Sequence, residues 1–474
     1  MTASRSPPSP ASLQHPIPPP PNPAPHLTDV GILHMVVYIP RTAVSQADLE
    51  RYDNISSGKY TIGLGQSHMS FVSDREDVIS LALTAVSQLV RHAAISYADI
   101  GRLEVGTETI LDKSKSIKTT LMRLFARSGN CEVEGLDNTN ACYGATAALF
   151  NTIAWCESSA WDGRYAVVVA ADISVYEPGP ARPTGGAGAV AMLIGRTPSA
   201  PIRFEIGLRA TCMGDTYDFF KPRVANEYPT VRGQQTVDTF VLAMDECYRR
   251  YSTRAKSPHV HQFNARRDVD YCVFHAPFNK MVQKSFARLV YNDFLKTPPG
   301  EDPFYEPVEQ YRNLSPETSH RNRDAQRAFV KLTKDFYDQK CAPAAWLAKK
   351  VGNCYTASLY SSLAALICEK GNDLLNKRIL LYSFGSGFAA SMFSIRVTAP
   401  VDDVFLGTDL KERLEDRIIA PVDEYIRTLK EREVNYGRFG YLPKANTEDL
   451  FPGTWYLCEV GPDGERSYDQ VPYR

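Results

Sequence analysis

The constraint with the widest reach is that the chain carries one short pattern twice. Asn140-Ala141-Cys142-Tyr143-Gly144-Ala145 opens a stretch of small apolar residues, and Gly352-Asn353-Cys354-Tyr355-Thr356-Ala357 opens another. An apolar run ending on polar residues precedes each copy: Leu103-Glu104-Val105-Gly106-Thr107-Glu108-Thr109 in the first, Tyr271-Cys272-Val273-Phe274-His275 in the second. A nearly unbroken apolar run follows each, at 165–172 and 379–384. Glycine-rich turns, Gly185-Gly186-Ala187-Gly188 and Gly385-Ser386-Gly387, then lead into further apolar runs at 189–194 and 388–397. Short continuous apolar runs read as strands buried on both faces, and their alternation with helices predicts an α/β fold. Two related halves packed face to face would bring equivalent strand and helix ends to one central site.

The division that follows is a Pro/Ser-rich tail over 1–28, a first half over 29–200 and a second half over 201–474. Proline lacks the donor that helices and ladders need, so the tail is expected to be extended and disordered. A helix is predicted from Asp74 to about His92, with Ser73 and Glu76 at capping-box spacing. Residues 297–325, with Pro298, Pro299, Pro303, Pro307 and Pro316, read as a surface loop, and 408–433 as an amphipathic surface helix. Trp455 to Tyr468 reads as a closing hairpin around Gly461-Pro462-Asp463-Gly464.

With 43% hydrophobic residues, 23% charged residues and a net charge of -1, the 474-residue chain has no global pull toward nucleic acid or a membrane surface. No apolar run approaches the roughly 20 residues of a membrane span. The ten cysteines are scattered without CxxC spacing, and no His/Cys/Asp cluster has metal-ligand spacing, so reduced thiols and no metal are expected. The tail holds Arg5 alone and is too proline-rich for an amphipathic presequence, which favours a cytoplasmic protein.

Several residues have chemical and structural readings side by side. Cys142 sits at the mouth of a helix, where unpaired N–H groups and the helix dipole favour a thiolate; it is a nucleophile or a buried small residue, like its near-twin Cys354. Glu108, ending an apolar strand, is a general base in a partly apolar pocket or an ion-pair partner of Lys113 or Lys115. His275 ends the equivalent strand and is a site group or a core histidine. Lys280 and Lys284 share one helical face, as a phosphate clamp or a solvated edge. Gly385-Ser386-Gly387 is an oxyanion cradle or a plain turn.

The motifs carry further than the single residues. Lys59-Tyr60-Thr61-Ile62-Gly63-Leu64-Gly65-Gln66, Glu104 to Ser116, Asn140-Ala141-Cys142-Tyr143-Gly144, Ala181-Arg182-Pro183-Thr184-Gly185-Gly186, Phe274-His275-Ala276-Pro277-Phe278 and Ser383-Phe384-Gly385-Ser386-Gly387 resemble the hydroxymethylglutaryl-CoA synthase family, the eukaryotic branch of the thiolase-like superfamily. The resemblance runs from about residue 29 to the C-terminus.

It implies a five-layered αβαβα fold built from two duplicated halves, and a homodimer. It implies an acyltransferase that condenses acetyl-CoA, acetoacetyl-CoA and water to (S)-3-hydroxy-3-methylglutaryl-CoA and CoA, in mevalonate, isoprenoid and sterol precursor synthesis. Cys142 would carry the acetyl group, Glu108 would take a proton from its methyl, and His275 would hold acetoacetyl-CoA and help protonate the alkoxide. Thr184, Thr236, Lys280, Lys284, Asn353 and Ser386 match the family's CoA contacts, and the Cys142 and Ser386 N–H groups its oxyanion donors. CoA thioesters would be substrates, with no resident cofactor and no metal. Ser56-Ser57, Pro180 and Ala145 depart from the pattern of animal members, where Asp-Ala, Asn and Gly are usual.

Rival readings lack their markers. A thiolase needs a second cysteine where Gly385-Ser386-Gly387 stands. A ketoacyl synthase does not require a glutamate at position 108. A non-catalytic scaffold would be free to lose Glu108, Cys142 or His275, and a cysteine hydrolase would need a peptide groove.

Overall fold

The computed structural model describes residues 25–223, 225–255, 262–405 and 410–473. Ten strands form one hydrogen-bonded sheet: β1 (His26–Tyr38), β2 (Ile100–Gly106), β3 (Asp137–Asn138), β4 (Tyr165–Ser174), β5 (Gly186–Arg196), β6 (Ile202–Ile206), β7 (Ala210–Met213), β8 (Tyr271–Phe274), β9 (Arg378–Gly385) and β10 (Ala389–Val397). Their order is β8-β9-β10-β6-β1-β5-β4-β2-β3, with β7 also on β10. The duplication is visible in the pairing. In the first half β2 runs parallel to β4 and β4 antiparallel to β5; in the second, β8 runs parallel to β9 and β9 antiparallel to β10. The halves also join edge to edge, because the long β1 pairs with β5 on one side and β6 on the other.

Side-chain alternation builds the layers. Along β4, Ala166, Val168 and Ala170 enter one apolar core while Val167, Val169 and Ala171 enter a second. Along β9, Ile379 and Leu381 share the first core and Leu380, Tyr382 and Phe384 enter a third. The shared core holds helices α2 (Gly144–Glu157), α5 (Ala342–Val351) and α6 (Ser358–Lys370); α1 (Val78–His92) covers the second core, and α3 (Gly233–Arg254) with α4 (Asn279–Lys296) covers the third. Each half of the continuous sheet is one layer, so helix, half-sheet, helix, half-sheet, helix makes the five-layered arrangement. Among the described residues no helix is long and apolar enough to cross a membrane.

Local expectations shift in four places. Residues 1–24 of the tail lie outside the described residues, and β1 already begins at His26. The first helix starts at Val78 with a capping box between Asp77 and Ser80, because Glu76 is instead buried as the acceptor of the Tyr38 hydroxyl at 2.5 Å. The excursion at 297–325 is not a simple loop. It contains a 3₁₀ helix, Pro303–Tyr311, that buries Tyr305 and Val308, and Arg312 beyond it donates to the carbonyls of Phe294 and Thr297 at the end of α4. The segment read as one helix over 408–433 is broken: Leu410–Glu415, a strand at Ile418–Ala420 on Thr42–Ser45, then α7 (Val422–Asn435) after Pro421. The closing hairpin is present as Trp455–Val460 and Arg466–Gln470.

Candidate active site

Gly106 ends β2 against the first turn of α2; a Cβ there would lie 2.1 Å from the Ala145 nitrogen. Gly385 ends β9 on the other side, where a Cβ would lie 2.6 Å from the Tyr143 nitrogen. The two glycines let strand ends from both halves close on the turn that carries Cys142. In that turn Ala141 has φ 43°, a left-handed conformation that costs a β-carbon residue about 1 kcal/mol or more. Tyr355 has φ 44° in the second half, three residues before α6 as Ala141 is three before α2. The structural counterpart of Cys142 is therefore Thr356. Cys354 falls two positions earlier, is 3% exposed, and burial pushes its thiol up to about 12; it is a packing residue.

Cys142 and Glu108 touch. The Cys142 Sγ donates to Glu108 Oε1 at 3.3 Å, and Lys221 Nζ lies 3.0 Å from Glu108 Oε2. The ion-pair partner of Glu108 is thus Lys221 rather than Lys113 or Lys115. Asp172, at the inner end of β4 and fully buried, organises the backbone behind this pair. Its Oδ1 accepts from the N–H groups of Glu108 and Thr109 and from the hydroxyls of Thr107 and Thr109, at 2.8 to 3.0 Å. Its Oδ2 accepts from the N–H and hydroxyl of Thr356, at 3.0 and 2.5 Å.

The electrostatics correct one expectation. Burial, and then the neighbouring Glu108 charge, push the Cys142 thiol well above its ordinary value, against the direction expected at the mouth of α2. Cys142 rests as a thiol aimed at a carboxylate. Burial also pushes Glu108 up, with Lys221 opposing and Asp172 adding to the rise. His275 directly follows β8 and is 2% exposed; desolvation pushes it down to about 3, so its ring is neutral. Its Nδ1 is buried and has no hydrogen-bond partner among the described residues. A lone pair is cheaper to bury there than an unmet N–H, which places the hydrogen on Nε2.

A cleft of about 410 Å³ brings together Cys142, Thr184, Thr236, His275, Asn353 and Ser386, with Tyr176, Phe219 and Tyr355 as aromatic walls. Pro180 lines it too. Lys280 and Lys284 do not reach this cleft. They share one face of α4, as expected, but line a separate basic groove with Arg323, Arg327, Lys331 and Lys334. Met281, between them in sequence, is on the cleft wall. Ser56 and Ser57 stand exposed on a turn, and Ala145 is buried against Gly106. Asp172 and Lys221 were absent from the sequence candidates. A carboxylate ending an unbroken apolar strand was a usable signal for Asp172; nothing local marks Lys221.

Comparisons with known proteins agree with this geometry. The family model described as hydroxymethylglutaryl-coenzyme A synthase N terminal matches residues 26–201, and its C terminal counterpart matches 202–471. The chain is 48% identical over 443 residues to hydroxymethylglutaryl-CoA synthase A of Dictyostelium discoideum, covering 94% of this chain and 91% of that one. It is 46% identical to both the cytoplasmic synthase of Gallus gallus and the mitochondrial synthase of Homo sapiens, covering 94% of this chain and 87% and 90% of theirs. Among solved structures, MvaS in complex with 3-hydroxy-3-methylglutaryl coenzyme A superposes with a TM-score of 0.79 at 30% identity, over 94% of this chain and 100% of that one. With both family models spanning the folded chain and a thiol, a carboxylate and a neutral imidazole gathered where its two halves meet, the chain belongs to the hydroxymethylglutaryl-CoA synthase family.

Proposed function

We propose that this protein condenses acetyl-CoA with acetoacetyl-CoA and water to give (S)-3-hydroxy-3-methylglutaryl-CoA and CoA. The observation that carries the reading is the Cys142 Sγ–Glu108 Oε1 contact at 3.3 Å, in a site whose cleft His275 also lines. Cys142 gives its proton to Glu108 and attacks the acetyl thioester, and CoA leaves as the thiol. Glu108, ionised again, takes a proton from the acetyl methyl, and the resulting carbon nucleophile adds to the ketone carbon of acetoacetyl-CoA. A neutral His275 suits this step, because its Nε2–H donates to the oxygen that gains charge. Water then cleaves the enzyme thioester.

Thr184, Thr236, Asn353 and Ser386 contact the acyl and pantetheine portions, and the N–H groups of Cys142 and Ser386 serve as oxyanion donors. The phosphates lie toward the basic groove of Lys280 and Lys284. CoA thioesters enter as substrates, with no resident cofactor. A homodimer belongs to the same proposal and is supported by Ile110 and Leu136, exposed beside the edge strand β3; sedimentation tests it. A cytoplasmic location and a role in mevalonate supply complete it; relatives bear both cytoplasmic and mitochondrial names, so cell fractionation decides the compartment.

The test is to incubate the protein with acetyl-CoA and weigh it. An acetyl increment is expected on the wild type and none on Cys142→Ser. Glu108→Ala, given a pre-formed acetyl-enzyme, is expected not to condense it with acetoacetyl-CoA. A wild type that never acylates removes the proposal.

A further inference from the structure

Lys221 follows a two-residue strand, Phe219–Phe220, paired with Thr230–Val231, and nothing in the reaction as described gives it work. Its position is nevertheless closely determined. Nζ lies 3.0 Å from Glu108 Oε2, the oxygen not engaged by Cys142, and the two side chains are 21% and 5% exposed. The ammonium also lies 4.6 Å from the centroid of the Tyr355 ring. Further along, Glu227 accepts two hydrogen bonds from Arg432 of α7 at 2.6 and 2.8 Å.

The groups around Glu108 make this cation consequential. Asp172 stands behind it as a second carboxylate, Cys142 in front as a thiol, and Tyr176 and Tyr355 nearby as neutral phenols. A carboxylate buried beside another carboxylate tends to take up a proton. A protonated Glu108 could accept neither the thiol proton nor the methyl proton.

We propose that Lys221 is the positioning residue that holds Glu108 as an anion and fixes its Oε2, leaving Oε1 to receive both protons. The proposal rests on the reading of Glu108 as base. Lys221 itself transfers nothing. In the carbon step the methyl C–H bond breaks, its proton joins Oε1, its electron pair forms the new carbon–carbon bond, and the π pair of the ketone moves onto its oxygen, which takes the proton donated by His275 Nε2–H. Lys221 keeps its charge throughout, and when Glu108 is neutralised the Tyr355 face remains beside the ammonium as a second stabilising contact.

The experiment compares wild type with Lys221→Met, which keeps chain length without charge, and with Lys221→Arg. Lys221→Gln stands in if the Met variant does not fold. The Glu108 carboxyl is titrated by infrared difference spectroscopy, its band assigned as the one lost in Glu108→Gln, and the pH profile of kcat is recorded in parallel. The midpoint of Glu108 protonation is expected to rise by about one to three pH units in Lys221→Met. The acidic limb of kcat moves with it, KM for acetoacetyl-CoA stays close to wild type, and Lys221→Arg returns the midpoint toward its original place. An unmoved Glu108 midpoint in the neutral variant overturns the proposal, even if activity falls. A wild type that does not condense its substrates would sink the functional reading instead, and the infrared titration would still decide whether Lys221 sets the charge of Glu108.

Discussion

Asp172 Oδ2 accepts both the N–H and the hydroxyl of Thr356, so a carboxylate of the first half is bonded to the second-half residue that mirrors the nucleophile. Its other oxygen holds the Thr107-Glu108-Thr109 turn. The two halves are thus registered at the atoms that aim Glu108. Asp172→Asn puts an NH₂ group where one of these oxygens accepted, leaving buried donors unmet at about 1–3 kcal/mol each. Urea unfolding should show a loss of several kcal/mol, and the folded fraction should lose condensation because Glu108 is no longer held. Wild-type stability in this variant would contradict the bracing role.

The thiol at Cys142 should respond to removal of its neighbouring charge. Glu108→Gln takes away the anion that, after burial, raises the thiol most. Alkylation of Cys142 by iodoacetamide, read by peptide mass against pH, should then have its midpoint at lower pH than in wild type. A midpoint that stays or rises would mean that the carboxylate does not reach the sulfur.

His275 makes a pH prediction with a definite sign. Its folded value is depressed from 6.5 to about 3, so its contribution to stability is complete above 6.5 and is lost as pH falls toward 3. At pH 5 the loss is about 2 kcal/mol, taking about 1.4 kcal/mol per pH unit below 6.5. His275→Gln cannot titrate and should flatten the acid limb of the stability curve between those values, as measured by urea midpoints. An unchanged acid limb would show that the imidazole is hydrated in the fold.

The basic groove should matter to the nucleotide end of the substrate alone. Lys284→Glu with Arg323→Glu should raise KM for both CoA thioesters by about tenfold or more, since ~1.4 kcal/mol is a factor of ten, and the effect should shrink with added salt. The same double variant should treat acetyl-pantetheine, which lacks the phosphates, as wild type does. Equal losses on both substrates would point to a disturbed helix rather than a phosphate contact.

The sequence carried the architecture because the duplication leaves local marks: Gly106 and Gly385 at strand ends, the apolar run of β4, and the two small-residue helix entries. Register was harder. The Cys142 and Cys354 patterns align by letter, yet the helix starts and the left-handed residues Ala141 and Tyr355 align Cys142 with Thr356, a two-residue shift set by the 3₁₀ turn at Tyr355–Ala357. The first-helix cap moved because the buried Tyr38 hydroxyl claims Glu76, a partner distant in sequence. Lys221 had no local signature for a similar reason. Its meaning lies in Glu108 and Tyr355, one from each half. The thiolate expectation for Cys142 failed because a helix mouth is a local feature, whereas desolvation and the charge of Glu108 come from the assembled site.

The closing hairpin bears on how the chain reaches its fold. Leu457, Val460 and Tyr468 belong to the same apolar core as Val78, Leu81 and Val167, and the Trp455 N–H and the Tyr468 hydroxyl donate to Thr84 and Asp77 of the first helix region. The core of the first half is therefore completed by residues that follow strands β8 to β10 of the second half in the chain. A nascent first half must wait with part of its apolar surface open until that hairpin has been made, so the two halves mature together rather than in turn.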